Sequence, residues 1–182
     1  MISKDDILKI IEYGTYAPSG DNSQPWRFEV AGSTIRIFNI PGKDNPILNV
    51  RNRGSYVAHG AAIENMAIAA KELGFGSAVE VFPRGSSGVV AELVLREDAP
   101  RLDPLFEALT KRVTNRKPYK KESLTEEEKN DLLSAARVFE GGEFKIIEER
   151  SSLEKIAPAL SVTERVALET QELHALFFGS ML

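Results

Sequence analysis

The chain has 182 residues, 42% hydrophobic and 27% charged, with no cysteine and a formal charge of −4. That length suits one domain with its own core, and the acidic balance excludes the basic field that gripping nucleic acid or an anionic membrane surface requires. Without cysteine there is no disulfide, thiolate nucleophile or Cys-ligated zinc or iron–sulfur cluster. No apolar run approaches the roughly 18–20 residues that span a bilayer, and the start at Met1–Asp6 lacks an export pattern, so the expected location is cytoplasmic.

Ser3 followed by Asp6 is a helix-capping pattern, and Ile7, Leu8, Ile10 and Ile11 follow at helical spacing, so a first helix is expected to run to about Tyr16, ahead of Pro18. After the loop Pro18–Pro25, Trp26, Phe28 and Val30 alternate with polar residues, and Ile35, Ile37 and Ile40 follow a break at Ala31–Thr34; this predicts a β-hairpin. Pro41 to Ser55 lacks periodicity and reads as a loop. Ala61 to Leu73 keeps Ile63, Met66, Ala67, Ala70 and Leu73 on one side, a buried helix of small residues that stops at Gly74-Phe75-Gly76. Val79-Val81 and Val89-Ala91-Leu93-Leu95 alternate as strands, the second antiparallel and central.

Helices dominate the rest. Leu105–Lys111 is one, Thr125 to Glu128 caps another that carries Leu132, Leu133 and Val138, and Ser161 with Glu164 is expected to cap a last one that is still apolar at Leu176, Phe177 and Phe178. One more strand, Phe144 to Ile147, is expected after a Gly141-Gly142 turn. Lys4–Tyr16 laid over Glu126–Val138 pairs Ile10-Ile11 with Leu132-Leu133, a weak internal repeat in which each helix leads to a segment containing Phe28 or Phe144.

Two segments have the inventory for chemistry. Pro18–Pro25 gathers turn formers, backbone polar groups and the Asn22 and Gln24 amides at one point between helix and strand, enough to hydrogen-bond the polar edge of a flat heterocycle; the same residues also suit a tight connection that caps its own backbone. Lys111-Arg112-Val113-Thr114-Asn115-Arg116-Lys117 sets four cations around a hydroxyl and an amide, suited to a phosphate or to plain solvation, with Arg112 and Arg116 on one face if the stretch is helical. His59 has no second ligand at metal spacing and reads as structural or as a support behind a site, and His174 as an ordinary helix residue. No Gly-x-Ser-x-Gly elbow accompanies the histidines, and neither a dinucleotide fingerprint nor a P-loop is present. Arg51-Asn52-Arg53 suits either an anionic substrate or exposed surface.

Residues 6–30, with Ala17-Pro18-Ser19-Gly20-Asp21-Asn22-Ser23-Gln24-Pro25-Trp26 at their centre, resemble the nitroreductase family, whose first block reads Ala-Pro-Ser-x-x-Asn-x-Gln-Pro-Trp between a helix and a strand. Gly60 to Ala70, ending in Leu73-Gly74-Phe75-Gly76-Ser77, resembles the family's central helix. The family's Arg-x-Ser-x-Arg/Lys phosphate motif has its look-alike not before the first helix but at Arg112-Val113-Thr114-Asn115-Arg116, with threonine in the serine position. That displacement is similar to the N-terminal portion of the fused, double-length branch of the family.

The resemblance implies an α+β fold, nitroreductase-like, with a central, mostly antiparallel sheet flanked by helices. It implies a single domain over 1–182 with a partial second repeat from about residue 110. It also implies FMN as cofactor, with Arg112, Thr114 and Arg116 at its phosphate and ribityl chain and Pro18, Ser19, Gly20 and Asn22 at its ring, while Gln24 and Trp26 support the loop. Glu80 matches a family glutamate that belongs to an opposite half-site missing its loop, and is not assigned. The implied activity is reduction of electron-poor acceptors, nitroaromatics or quinones, by NAD(P)H in ping-pong order, with no catalytic side chain and no metal; the implied assembly is a homodimer. The alternatives are a flavin-binding protein without turnover and a flavin-free fragment or interaction domain.

Overall fold

The computed structural model describes residues 2–85, 88–120, 122–136 and 143–179, the side chains of 176–178 excepted. The chain forms two compact units, residues 1–115 and 116–182.

In the first unit, helix α1 (Lys4–Thr15) opens with the expected capping box: the Ser3 hydroxyl accepts from the Asp6 backbone N–H at 3.1 Å, while the Asp6 carboxylate faces the Ser3 backbone N–H. Strands β1 (Trp26–Ala31) and β2 (Thr34–Asn39) form the predicted hairpin, Ala31 opposite Thr34. Helix α2 (Arg53–Glu72) leads through Gly74 to β3 (Phe75–Val81) and β4 (Val89–Glu97), and α3 (Phe106–Lys111) follows. The sheet order is β1-β2-β4-β3 and every pairing is antiparallel, so β4 is central as its alternation indicated. This is the α+β class expected, with an antiparallel sheet and packed helices.

The core lies between one face of the sheet and the α1–α2 pair. Ile35 pairs with Leu93 and Ile37 with Ala91, which places four buried side chains on that face. They meet Ala58, Ala62, Met66 and Ala70 of α2, with Ile7 and Ile10 of α1 behind. Gly14 on α1 lets the helices approach closely: a Cβ there would stand 2.7 Å from Met66 Cγ of α2.

Helix α2 begins at Arg53, eight residues before the expected start at Ala61. Asn52, in the left-handed region at φ 58, gives no side-chain cap; instead Asn49 reaches across six residues, its Oδ1 accepting from the Ser55 backbone N–H at 3.1 Å. The helix therefore starts inside a segment whose Asn, Arg and Gly composition signals a loop.

The second unit contains α4 (Glu126–Ala136), α5 (Arg150–Glu169) and α6 (Gln171–Phe178). Helix α4 carries the expected Thr125–Glu128 capping box, the Thr125 hydroxyl accepting from the Glu128 backbone N–H at 3.2 Å. Phe144 to Ile147 is not a strand. The hairpin partner that β2 supplies to β1 has no counterpart, because α5 starts three residues after Ile147, and a strand without a neighbour leaves its backbone groups unpaired. Ser161 does not cap a helix: α5 runs through it and ends at Glu169, before Thr170, whose ψ is 117°. Val138 and the Gly141-Gly142 turn lie outside the described residues, as do the side chains of Leu176, Phe177 and Phe178. Among the described residues no helix is long and apolar enough to cross a membrane.

Candidate functional site

Between α1 and β1 the chain makes a single 3₁₀ turn over Gly20–Asn22. Its conformation is set locally: Asn22 N–H donates to the Ser19 carbonyl at 3.1 Å, Ser23 N–H to the Gly20 carbonyl at 2.8 Å, and Gln24 N–H to the Ser19 hydroxyl at 2.9 Å. Asp21, Asn22 and Gln24 all have positive φ, at 46°, 54° and 48°. Non-glycine residues in the left-handed region cost of order 1 kcal/mol or more each and persist where their surroundings over-determine them, which is characteristic of ligand clamps. Arg51 and Asn52, at 55° and 58°, make a second such pair just before α2.

These two strained segments bracket a concave shelf of about 190 Å³ lined by Pro18, Ser19 and Gly20 on one side and by Gly54, Val57, Ala58 and Ala61 of α2 on the other. Small residues at positions 54, 58 and 61 follow helical spacing, so one stripe of α2 presents a flat surface. The shelf is almost wholly apolar, with the Ser19 hydroxyl and the loop backbone at its edge. A flat heterocycle with a polar rim fits such a surface, its faces against Pro18, Val57 and the alanines and its rim toward the loop. Tyr56 and Phe82, their ring centroids 5.3 Å apart at 84°, add exposed aromatic surface beside Val57.

The sequence-derived residues divide as follows. Pro18, Ser19 and Gly20 reach the shelf; Asn22 is exposed and does not line it. Trp26 is buried against Phe28 and His59, consistent with a supporting role. Arg112 comes to the loop from 96 residues away, its Nη2 donating to the Tyr16 carbonyl oxygen at 3.4 Å, two residues before Pro18. Thr114 is exposed beyond it, and Arg116 belongs to the second unit. Arg112 and Arg116 do not share a helical face, because α3 ends at Lys111 and Arg112 has ψ 129°; β-branched Val113 and Thr114 favour extended backbone there.

His59 is fully buried, its Nδ1 against the Ser55 carbonyl and its Nε2 3.4 Å from the Phe38 carbonyl, which ties α2 to β2. That is the structural role its sequence context suggested. Glu80 is exposed on β3, opposite Glu92.

Sequence reasoning missed Gly54, Val57 and Ala58, because the loop reading of 41–55 and the late helix start hid the stripe. It also missed the buried polar group beneath them, Asp44, Asn49 and Ser55. The small-residue spacing 54-58-61 was the available signal.

No protein-family model matches the chain, and no curated protein matches it significantly. Solved structures similar to it include a BluB-like flavoprotein from Clostridium difficile 630, at 20% identity and TM-score 0.45 over 81% of this chain and 91% of that one. A nitroreductase family protein from Streptococcus pneumoniae TIGR4 aligns at 16% identity and TM-score 0.44, over 57% of this chain and 84% of the other. Another, from Clostridium novyi NT, aligns at 20% identity and TM-score 0.41, over 56% and 75%.

Proposed function

We propose that this chain binds FMN on the Pro18–Gly20 shelf and is a flavin-dependent oxidoreductase that passes reducing equivalents from NAD(P)H to electron-poor acceptors, nitroaromatics or quinones, in ping-pong order. The observation that carries this reading is the shelf itself: Pro18, Ser19 and Gly20, three of the four loop residues singled out from the sequence, line a flat apolar surface, and a strained backbone fixes its rim. When bound, the flavin supplies the hydride chemistry, so no side chain has to act as nucleophile or base. Pro18, Val57, Ala58 and Ala61 would exclude water from one face of the ring, and the Ser19 hydroxyl with the Gly20 backbone would meet its polar rim.

The proposed phosphate grip is confined to Arg112 and Thr114, both in the first unit. Arg112 has an exposed guanidinium whose contact with the Tyr16 carbonyl uses one of its five N–H donors, which leaves donors for an anion. The proposal extends to a cytoplasmic homodimer, in which a second copy would cover the exposed apolar residues Tyr56, Val57, Val81 and Phe82 beside the shelf. Light scattering on the purified chain tests that part, and a monomer at micromolar concentration contradicts it.

Anaerobic titration of the FMN-loaded protein with NADH or NADPH separates the enzyme from a flavin store. Bleaching of the flavin band that is reversed by a quinone or nitroaromatic supports turnover. Persistence of the band with both nucleotides identifies a protein that holds flavin without using it.

A further inference from the structure

Behind the shelf, on the irregular stretch between β2 and α2, lies a carboxylate that the proposed flavin contacts do not use. Asp44 is only 9% exposed. One oxygen accepts from the Asn45 backbone N–H at 2.9 Å, and the other accepts from the Ser55 hydroxyl at 3.3 Å. Asn49 completes the group by donating from Nδ2 to Ser55 Oγ at 2.7 Å while its Oδ1 takes the Ser55 backbone N–H. No lysine or arginine among the described residues forms an ion pair with Asp44.

The same carboxylate touches both walls of the shelf. A Cβ on Gly20 would stand 3.0 Å from Asp44 Oδ1, and one on Gly54 would stand 3.7 Å from Oδ2 and 3.2 Å from Asn49 Oδ1. Gly20 and Gly54 both line the shelf, one from the loop and one from the first turn of α2. Asp44 and Asn49 also line a neighbouring cavity of about 300 Å³ with Arg51 and Asn52. A side chain at Gly20 would crowd the carboxylate and one at Gly54 would crowd Asn49, so glycine at both positions suits the close approach of loop and helix to this group.

We propose that Asp44 is a positioning residue of the flavin shelf, fixing the separation of its Gly20 and Gly54 walls and placing a negative charge behind the ring that holds bound flavin at a low reduction potential. This rests on the flavin reading above. The electrostatic half follows from Coulomb's law: reduction adds electrons to the ring, and a buried carboxylate behind the Gly20 and Gly54 walls would oppose that with little screening. The geometric half follows from the hydrogen bond that ties the carboxylate to Ser55 of α2 and from the close approach of Gly20 to its other oxygen, which set it between helix and loop.

The test uses the full chain with FMN as the probe, and reads both the dissociation constant, by quenching of flavin fluorescence, and the midpoint potential of bound FMN against a reference dye. Asp44→Asn keeps the shape, removes the charge and exchanges one of the two acceptor oxygens for a donor NH2; it is expected to raise the midpoint potential. Ser55→Ala keeps the charge and releases the carboxylate from α2; it is expected to weaken FMN binding several-fold with the potential nearly unchanged. Should Asp44→Asn fail to fold, the Ser55→Ala affinity decides, and an unchanged affinity overturns the proposal. Wild-type potential in folded Asp44→Asn also overturns it while leaving the flavin reading intact. Failure of the wild-type chain to bind FMN at all overturns both.

Discussion

Arg112 reaches the Tyr16 carbonyl from the end of the first unit, and this contact turns a basic run, which composition alone leaves ambiguous, into a specific residue beside a specific loop. Arg112→Ala should weaken FMN binding by about 1.5–3 kcal/mol, the scale of a hydrogen bond to a charged group. Isothermal titration reads it directly, and an affinity equal to wild type would assign Arg112 to solvent. Gly14 is the counterpart in the core. Its missing Cβ leaves room for Met66, so Gly14→Ala should destabilise the first unit by about 1–3 kcal/mol, as overpacking does. Urea unfolding measures this, with the prediction that Gly14→Ala/Met66→Ala no longer shows the steric part of the loss. At this scale Pro18, Ser19 and Gly20 were legible because proline, a small hydroxyl and glycine in sequence restrict what a loop can do. Asp44 and Asn49 were not, because their partners Ser55, Gly20 and Gly54 are up to 24 residues away and only the fold brings them together.

The helix starts show which elements declare themselves. α1 and α4 each carry a Ser/Thr-x-x-Asp/Glu box whose hydrogen bonds are local, so three residues suffice to place the start. α2 is held at its start by Asn49 from outside the helix, and its first turn reads as loop. The β-strands of the first unit were read from alternation, which a sheet buried on one face imposes; Phe144–Ile147 shares the composition but lacks a pairing partner. The helical end of the first unit has a pH-dependent anchor. Asp103 accepts from the Leu105 backbone N–H at 3.0 Å and from Lys71 Nζ of α2 at 3.0 Å, and these contacts, the backbone bond foremost, lower its pKa below the ordinary 3.8. The anchor therefore stabilises fully above the unfolded-state value and is lost as pH falls through the lower folded-state value. Asp103→Asn should cost about 0.5–1 kcal/mol near pH 7, the range of an exposed ion pair with a turn bond, and the gap from wild type should close as thermal unfolding is repeated down to the acid limit.

Taken whole, the chain puts its resources unequally. The sheet and every buried apolar residue found among the described residues, from Ile7 to Leu109, lie in residues 1–115, whereas the described helices of 116–182 contribute none. A chain cut after Asn115 should accordingly unfold cooperatively in urea; the single tryptophan, buried Trp26, reports on that unit alone. A broad, non-cooperative transition would mean that residues 1–115 do not fold independently. The fold class was legible because the patterns that specify the first unit are local and repeated. The shelf was legible on its loop side only, since its helical wall depends on where α2 begins. The most direct measurement of the central claim is titration of FMN with the 182-residue chain, followed by flavin fluorescence, with Gly20→Ala beside wild type. A saturable quench in wild type that Gly20→Ala weakens places the flavin on the shelf; no quench in wild type, or equal affinity in the two, contradicts it.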